Sequence, residues 1–158
     1  MISIIACIGR NNELGRKNNL IWNIPRDMKF FRDTTMGHTV VMGLNTYRSI
    51  PGNLVGRKII VLSYNEIEGD IEVAYSIDAI LNKYLDTKEE IFICGGASIY
   101  NQFIKYADKL YLTLVDDVCL DADTFFPKID ESEWYKEIME ENVYENLKFK
   151  ICLYRKKL

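Results

Sequence analysis

Ile2-Ser3-Ile4-Ile5-Ala6-Cys7-Ile8 is an apolar run closed by Gly9, the pattern of a strand covered on both faces. Such strands belong to mainly parallel sheets, so this run should be central. Working outward, Thr39-Val40-Val41-Met42, Ile59-Ile60-Val61-Leu62, Ile91-Phe92-Ile93-Cys94 and Leu110 to Val115 have the same character. Between them lie helical spacings: Pro25 to Thr34 or Thr35, Leu44 to Ile50 stopped by Pro51-Gly52, Ile77 to Tyr84 after an N-cap at Ser76, and Ile99 to Tyr106. Glu72-Val73-Ala74 is a weak strand. Near the end, Leu147, Phe149, Ile151 and Leu153 alternate with polar or smaller neighbours, the period of a half-buried antiparallel strand, and the chain should close in a hairpin near Asn142 to Asn146. The expected fold is α/β: a mixed, mostly parallel central sheet flanked by helices, with an antiparallel C-terminal hairpin. Residues 1–158 show no repeat, low-complexity tract or linker and read as one domain.

The helix from Pro25 contains an anomaly. Proline suits its first turn, and Ile24, Met28 and Phe31 form an apolar stripe at about 100° per residue. Asp27 lies on the flank of that stripe, whereas Arg26, Lys29, Arg32 and Asp33 form a solvated face. A carboxylate on the drier side needs donors or must rise in pKa. It could simply start its helix or cap a neighbouring loop. With Trp22 just ahead, Phe31 one turn on and a polar loop from Gly9 to Asn19 leading in, it reads instead as the one charged group at the base of a small-molecule pocket.

Composition narrows the class. The chain has 158 residues, 48% of them hydrophobic, and a net charge of −3 from interleaved signs, so no basic stripe is available for nucleic acid. Its apolar runs are strand length and the first residues lack a basic flank, which argues against a membrane span or signal peptide and for the cytoplasm. Cys7, Cys94, Cys119 and Cys152 are scattered and should be reduced, mostly buried thiols. His38 is the sole histidine, which disfavours a metal site or a Ser-His-Asp triad. Gly43 and Gly95-Gly96, each between a strand and a helix, let backbone N–H groups approach a ligand, and two such places suggest a dinucleotide. The G-x-G-x-x-G fingerprint is absent, and glycine at strand ends is also ordinary turn chemistry.

Leu20-Ile21-Trp22-Asn23-Ile24-Pro25-Arg26-Asp27, Phe30-Phe31, Val41-Met42-Gly43 with Thr46, Gly56-Arg57-Lys58, Ile93-Cys94-Gly95-Gly96 with Tyr100, Tyr111-Leu112-Thr113, and Asp123-Thr124 through Phe126-Pro127 share one family's order and spacing. With the N-terminal strand, they make the chain resemble bacterial single-domain dihydrofolate reductase along nearly its whole length. The resemblance implies hydride transfer from C4 of NADPH to C6 of dihydrofolate, with a proton gained at N5. It makes Asp27, Trp22, Leu20 and Thr113 the catalytic group: Asp27 holds the pterin, Thr113 supports Asp27 or its water, and the Leu20–Trp22 loop gates water. Ile5, Ala6, Asp27, Met28, Phe31, Ile50, Leu54, Arg57, Cys94, Tyr100 and Thr113 should line the substrate site, with Arg57 on the glutamate α-carboxylate. The cofactor should meet Ala6, Cys7, Ile8, Gly15, Gly43, Leu44, Asn45, Thr46, Leu62, Ser63, Tyr64, Cys94, Gly95, Gly96, Ala97, Ser98 and Ile99, and the Gly95–Gly96 bond should be cis. Positions where relatives carry cations for the 2′-phosphate hold Leu44, Ser98 and Ser63-Tyr64-Asn65 here, so NADH should be tolerated beside NADPH. Diaminopyrimidine and pteridine antifolates are the implied inhibitors, and a monomer is the implied state. A flavodoxin-like nucleotide-binding module would explain the glycines but has no use for Asp27 beside Trp22; a related pyrimidine or pteridine reductase would require neither Asp27 nor Arg57.

Overall fold

The computed structural model describes residues 1–50, 54–69 and 71–158. Its elements run β1 (Ile2–Ile8), β2 (Glu13–Arg16), β3 (Asn19–Leu20), α1 (Pro25–Thr35), β4 (Thr39–Gly43), α2 (Leu44–Ser49), β5 (Lys58–Leu62) and β6 (Glu72–Ala74). They continue with α3 (Ile77–Tyr84), β7 (Ile91–Ile93), α4 (Ala97–Phe103), β8 (Lys109–Val115), β9 (Thr124–Phe125), β10 (Trp134–Tyr144) and β11 (Leu147–Lys156). An eight-stranded sheet has the order β10-β11-β8-β1-β7-β4-β5-β6. From β8 to β6 every neighbouring pair is parallel, while β11 runs antiparallel to both β8 and β10. The central position of β1 follows from its sequence, since both its faces are covered.

Those faces carry two apolar clusters. One gathers Ile4, Val41, Ile93, Tyr100, Phe103 and Leu112 under α3 and α4. The other gathers Ile5, Trp22, Ile24, Phe30, Val40, Met42, Phe92 and Ile151 around α1. Side-chain alternation along β1 decides which residues reach which cluster.

Several expectations change in detail. The stop expected at Pro51-Gly52 lies outside the described residues, and α2 reaches its C-cap at Ile50. The helix expected to run to Tyr106 ends at Phe103 and passes into a 3₁₀ turn over Ile104–Tyr106. The polar loop from Gly9 contains β2 and β3, which form a small sheet with β9. The hairpin is far longer than expected, because Trp134–Tyr144 pairs with almost all of β11 across a tight turn. Glu145 and Asn146 both have positive φ there (47° and 70°), as a two-residue type I′ hairpin turn requires. The four cysteines are free, but Cys152 alone is fully buried; Cys7, Cys94 and Cys119 are half-buried.

Candidate active site

The first turn of α1 places Asp27 against the sheet. Pro25 opens the helix with no side-chain cap. The Thr113 hydroxyl on β8 donates to Asp27 Oδ1 at 2.6 Å, and the Cys7 thiol on β1 lies beside the same carboxylate. Thr113 and Cys7 are register partners on adjacent strands, which is why two residues far apart in sequence converge on one carboxylate. Burial raises the Asp27 pKa, and Thr113 and Cys7 oppose that rise only in part. Burial, aided by the Asp27 charge, pushes the Cys7 thiol well above its ordinary range. Asp27 makes no ion pair with a cation among the described residues.

The apolar stripe on α1 differs from the expected one. Ile24, Phe30 and Thr35 are buried, whereas Met28 is 46% exposed and Phe31 half-buried. Met28 and Phe31 thus leave apolar surface open on the helix that carries the half-buried Asp27. Phe31, Ile50, Leu54 and Cys94 pack at the margin of the cluster that holds Ile5 and Trp22. Nor is Arg26 merely solvated, since its guanidinium makes a forked pair with Glu140 of β10 at 2.8–3.1 Å. Arg57 lies near the C-terminal half of α1, with Nη1 at 3.4 Å from both Arg32 O and Thr35 Oγ1. Its buried Nε has no hydrogen-bond partner among the described residues.

A cleft of about 680 Å³ crosses the C-terminal ends of the parallel strands. It is lined by Cys7 and Gly15 near β1, by Cys94 to Tyr100 after β7, by Gly43 to Thr46 after β4, by Leu62 to Asn65 after β5, and by Tyr75 to Ile77 after β6. Gly43 N–H donates to Gly95 O at 2.9 Å, and the Gly95–Gly96 peptide is cis. Gly95 has φ +121°, a conformation that side chains disfavour. The Tyr100 hydroxyl donates to Ile5 O at 2.7 Å beneath this floor.

Of the residues expected to hold a cofactor, Ala6 and Ile8 do not line the cleft. Their side chains alternate with that of Cys7 along β1: Ile8 is buried and Ala6 packs against the α3–α4 cluster. The cleft adds Leu14, Asn18, Ser49, Tyr75 and Gln102, which sequence reasoning did not single out. Ser76 had been recognised only as the α3 N-cap, a role it does fill by accepting from Ala79 N–H.

Leu20, 57% exposed, lines the cleft from the loop between β1 and α1. That loop is held to the 116–125 segment. Trp22 Nε1–H donates to Asp117 Oδ2 at 3.0 Å, a bond that lowers the Asp117 pKa. Lys17 N–H donates to Asp123 at 2.8 Å, and Arg16 pairs with Asp121. Glu13, which no local pattern marks, is only 1% exposed and accepts the Asn11 and Cys119 N–H groups, each at 2.7 Å. Gly9 leaves room for this arrangement, because a Cβ there would collide with Trp22 and lie 2.5 Å from Glu13 Oε1. Glu13→Ala strands both N–H groups and is expected to lower unfolding free energy by about 2–4 kcal/mol. Urea denaturation measures this, and a change within a few tenths of a kcal/mol would show that the loop does not depend on Glu13.

Fold and site define a class: a mostly parallel α/β protein that can hold an extended ligand across its strand ends, with a half-buried carboxylate beside Cys7 at one end of the cleft. The family model described as "Dihydrofolate reductase" matches residues 1–156, and the chain belongs to that family. It is 41% identical over 137 residues to dihydrofolate reductase type 3 of Salmonella typhimurium, covering 85% of this chain and 83% of that one. It is 36% identical over 155 residues to the Buchnera aphidicola (subsp. Baizongia pistaciae) enzyme, covering 97% and 93%. Among solved structures, Enterococcus faecalis dihydrofolate reductase complexed with NADP(H) and RAB-propyl superposes with a TM-score of 0.88. It is 27% identical and covers 100% of this chain and 97% of its own.

Proposed function

We propose that Asp27 orients and electrostatically activates the pterin ring, that Leu20 and Trp22 control water at that ring, and that Arg57 holds the substrate's far carboxylate. The reaction is the reduction of 7,8-dihydrofolate to 5,6,7,8-tetrahydrofolate by hydride transfer from NADPH. The observation that carries the assignment of roles is the half-buried Asp27 carboxylate, hydrogen-bonded by Thr113, flanked by Cys7 and paired with no cation among the described residues. Such a group accepts the pterin's 2-amino and N3–H donors as a parallel pair and favours a protonated ring. In that pose it is remote from N5, so the proton reaches N5 through water admitted past Leu20.

The cleft fits an extended dinucleotide. Its floor runs four strand spacings from β1 to β6, about 19 Å, and glycine keeps it shallow. A Cβ on Gly43 would stand 3.2 Å from Ile99 Cγ1, and one on Gly96 would stand 3.4 Å from Thr46 Oγ1. When bound, the reduced nicotinamide supplies the hydride; the chain's contribution is to hold both rings in contact and exclude bulk water. Cys7 belongs to both the cleft and the Asp27 constellation, so the nicotinamide end lies at β1. Asp27, Arg57 and the cleft all come from one chain, which suits a monomer of one domain. Free thiols suit the cytoplasm. Among the described residues no helix is long and apolar enough to cross a membrane. Diaminopyrimidine and pteridine antifolates present the same parallel donor pair to Asp27.

Consumption of NADPH with dihydrofolate, followed by nicotinamide absorbance, tests the activity. The pH profile of single-turnover hydride transfer tests the role of Asp27. Because burial raises its pKa, the Asp27–pterin pair should titrate above the ordinary carboxylate range, and the rate should fall as pH rises through that point. A rate independent of pH would remove Asp27 from protonation of the ring.

A further inference from the structure

Among the described residues, the cleft lining contains no Asp, Glu, Lys, Arg or His. This absence of charge bears on which nicotinamide dinucleotide the protein selects. With the nicotinamide end at β1, the adenosine end falls about 19 Å away at the tips of β5 and β6, where Ser63 to Asn65 and Tyr75 to Ile77 line the cleft. These tips are adjacent, since Leu62 registers with Ala74 and Ser63 N–H donates to Ala74 O at 3.0 Å. Tyr64 and Tyr75 are 93% and 54% exposed and offer ring surface to a purine. Cations elsewhere on these elements point to other partners or lie outside the cleft. Lys58 starts β5 at its opposite end and pairs with Glu72, Lys83 pairs with the same carboxylate, and Arg48 in the last turn of α2 is not in the lining.

We infer that the adenosine end of the cleft reads base and ribose but not the 2′-phosphate, so that NADH serves this reductase as hydride donor nearly as well as NADPH. The two cofactors differ in one phosphate ester. Everything the lining offers to base, ribose, pyrophosphate and nicotinamide is common to both. The 2′-phosphate meets only neutral donors such as Ser63 and Ser76, and a hydrogen bond of that kind is roughly half as strong as one from a cation. Neutral donors also repay little of the dianion's lost hydration. The inference rests on placing the nicotinamide beside Cys7 and Asp27.

The test measures kcat/KM for NADPH and NADH with saturating dihydrofolate, at low and high salt, in wild type, Leu44→Arg and Tyr64→Arg. The ratio between cofactors in wild type should be about tenfold or less and nearly independent of salt, as expected of a site without a cation. Leu44→Arg brings a guanidinium into the lining, and Tyr64→Arg does so from a more exposed position that the fold tolerates. At least one should raise the NADPH-to-NADH ratio of kcat/KM by about ten- to thirtyfold and make that ratio depend on salt. A wild-type preference for NADPH above about a hundredfold would overturn the inference, because it requires a cation at the 2′-phosphate. So would equal gains for both cofactors in the variants, which would place the new charge at the pyrophosphate. Failure of wild type to reduce dihydrofolate with either cofactor would instead overturn the reductase reading.

Discussion

Asp27→Asn is expected to slow hydride transfer by about 10²- to 10³-fold at neutral pH while leaving a folded protein. An amide at this position cannot accept both pterin donors, and it offers no negative charge to favour ring protonation. The loss should shrink at low pH, where solution supplies the proton. Stability should move the other way. Burial raises the folded-state pKa of Asp27, so between the unfolded and folded values the native state holds the proton more firmly than the unfolded chain does. Stability from this group therefore falls as pH rises through that window, and above it the native state carries the full cost of a dehydrated charge. The variant lacks that cost, so at neutral pH it should be at least as stable as wild type, while below the unfolded carboxylate pKa the difference should disappear. Stopped-flow rates and urea melts across pH measure both effects. A folded Asp27→Asn protein with near wild-type hydride transfer at neutral pH would dismiss the proposed role.

Arg57→Leu should raise the KM for dihydrofolate by about ten- to a hundredfold with little change in kcat, the signature of lost ground-state and transition-state binding together. In the structure its Nη1 contacts are long, at 3.4 Å, and its buried Nε is unpaired among the described residues. A buried donor without an acceptor points to a missing anion rather than to a structural ion pair. A dihydropterin lacking the benzoylglutamate tail supplies the control. It should be used equally well by both proteins, and an equal loss on this truncated substrate would show that Arg57 shapes the pocket instead of holding the carboxylate.

Much of the architecture was legible because β1, β4, β5 and β7 are covered on both faces, which leaves apolar runs that few other structures produce. β10 was not, because it is the sheet edge: Tyr135, Ile138, Met139 and Val143 stay exposed and glutamates interrupt any alternation. β2, β3 and β9 are too short to carry a period. Asp27 stood out because a carboxylate beside an apolar stripe needs a reason, but Thr113 and Cys7 reach it only through sheet register. Ala6 and Ile8 reach a different cluster from Ile5 and Cys7 by the same alternation, since a motif names neighbours in sequence and a strand sends them to opposite faces. Glu13 resembles a surface glutamate in every local respect, and its burial comes from the distant Cys119 amide.

The pairing of Asp27 with an uncharged donor, Thr113, and no cation among the described residues has a thermodynamic consequence for inhibitors. A weakly basic heterocycle docking on this carboxylate forms its best contact as a cation, so association draws a proton from solvent whenever the free ligand is neutral. Proton uptake and affinity are then linked, and the dissociation constant should weaken by up to about tenfold per pH unit above the ligand's own pKa. Calorimetry in buffers of different ionisation heat would count that proton directly. A heterocycle that cannot be protonated would forfeit the gain, however well its shape suited the site.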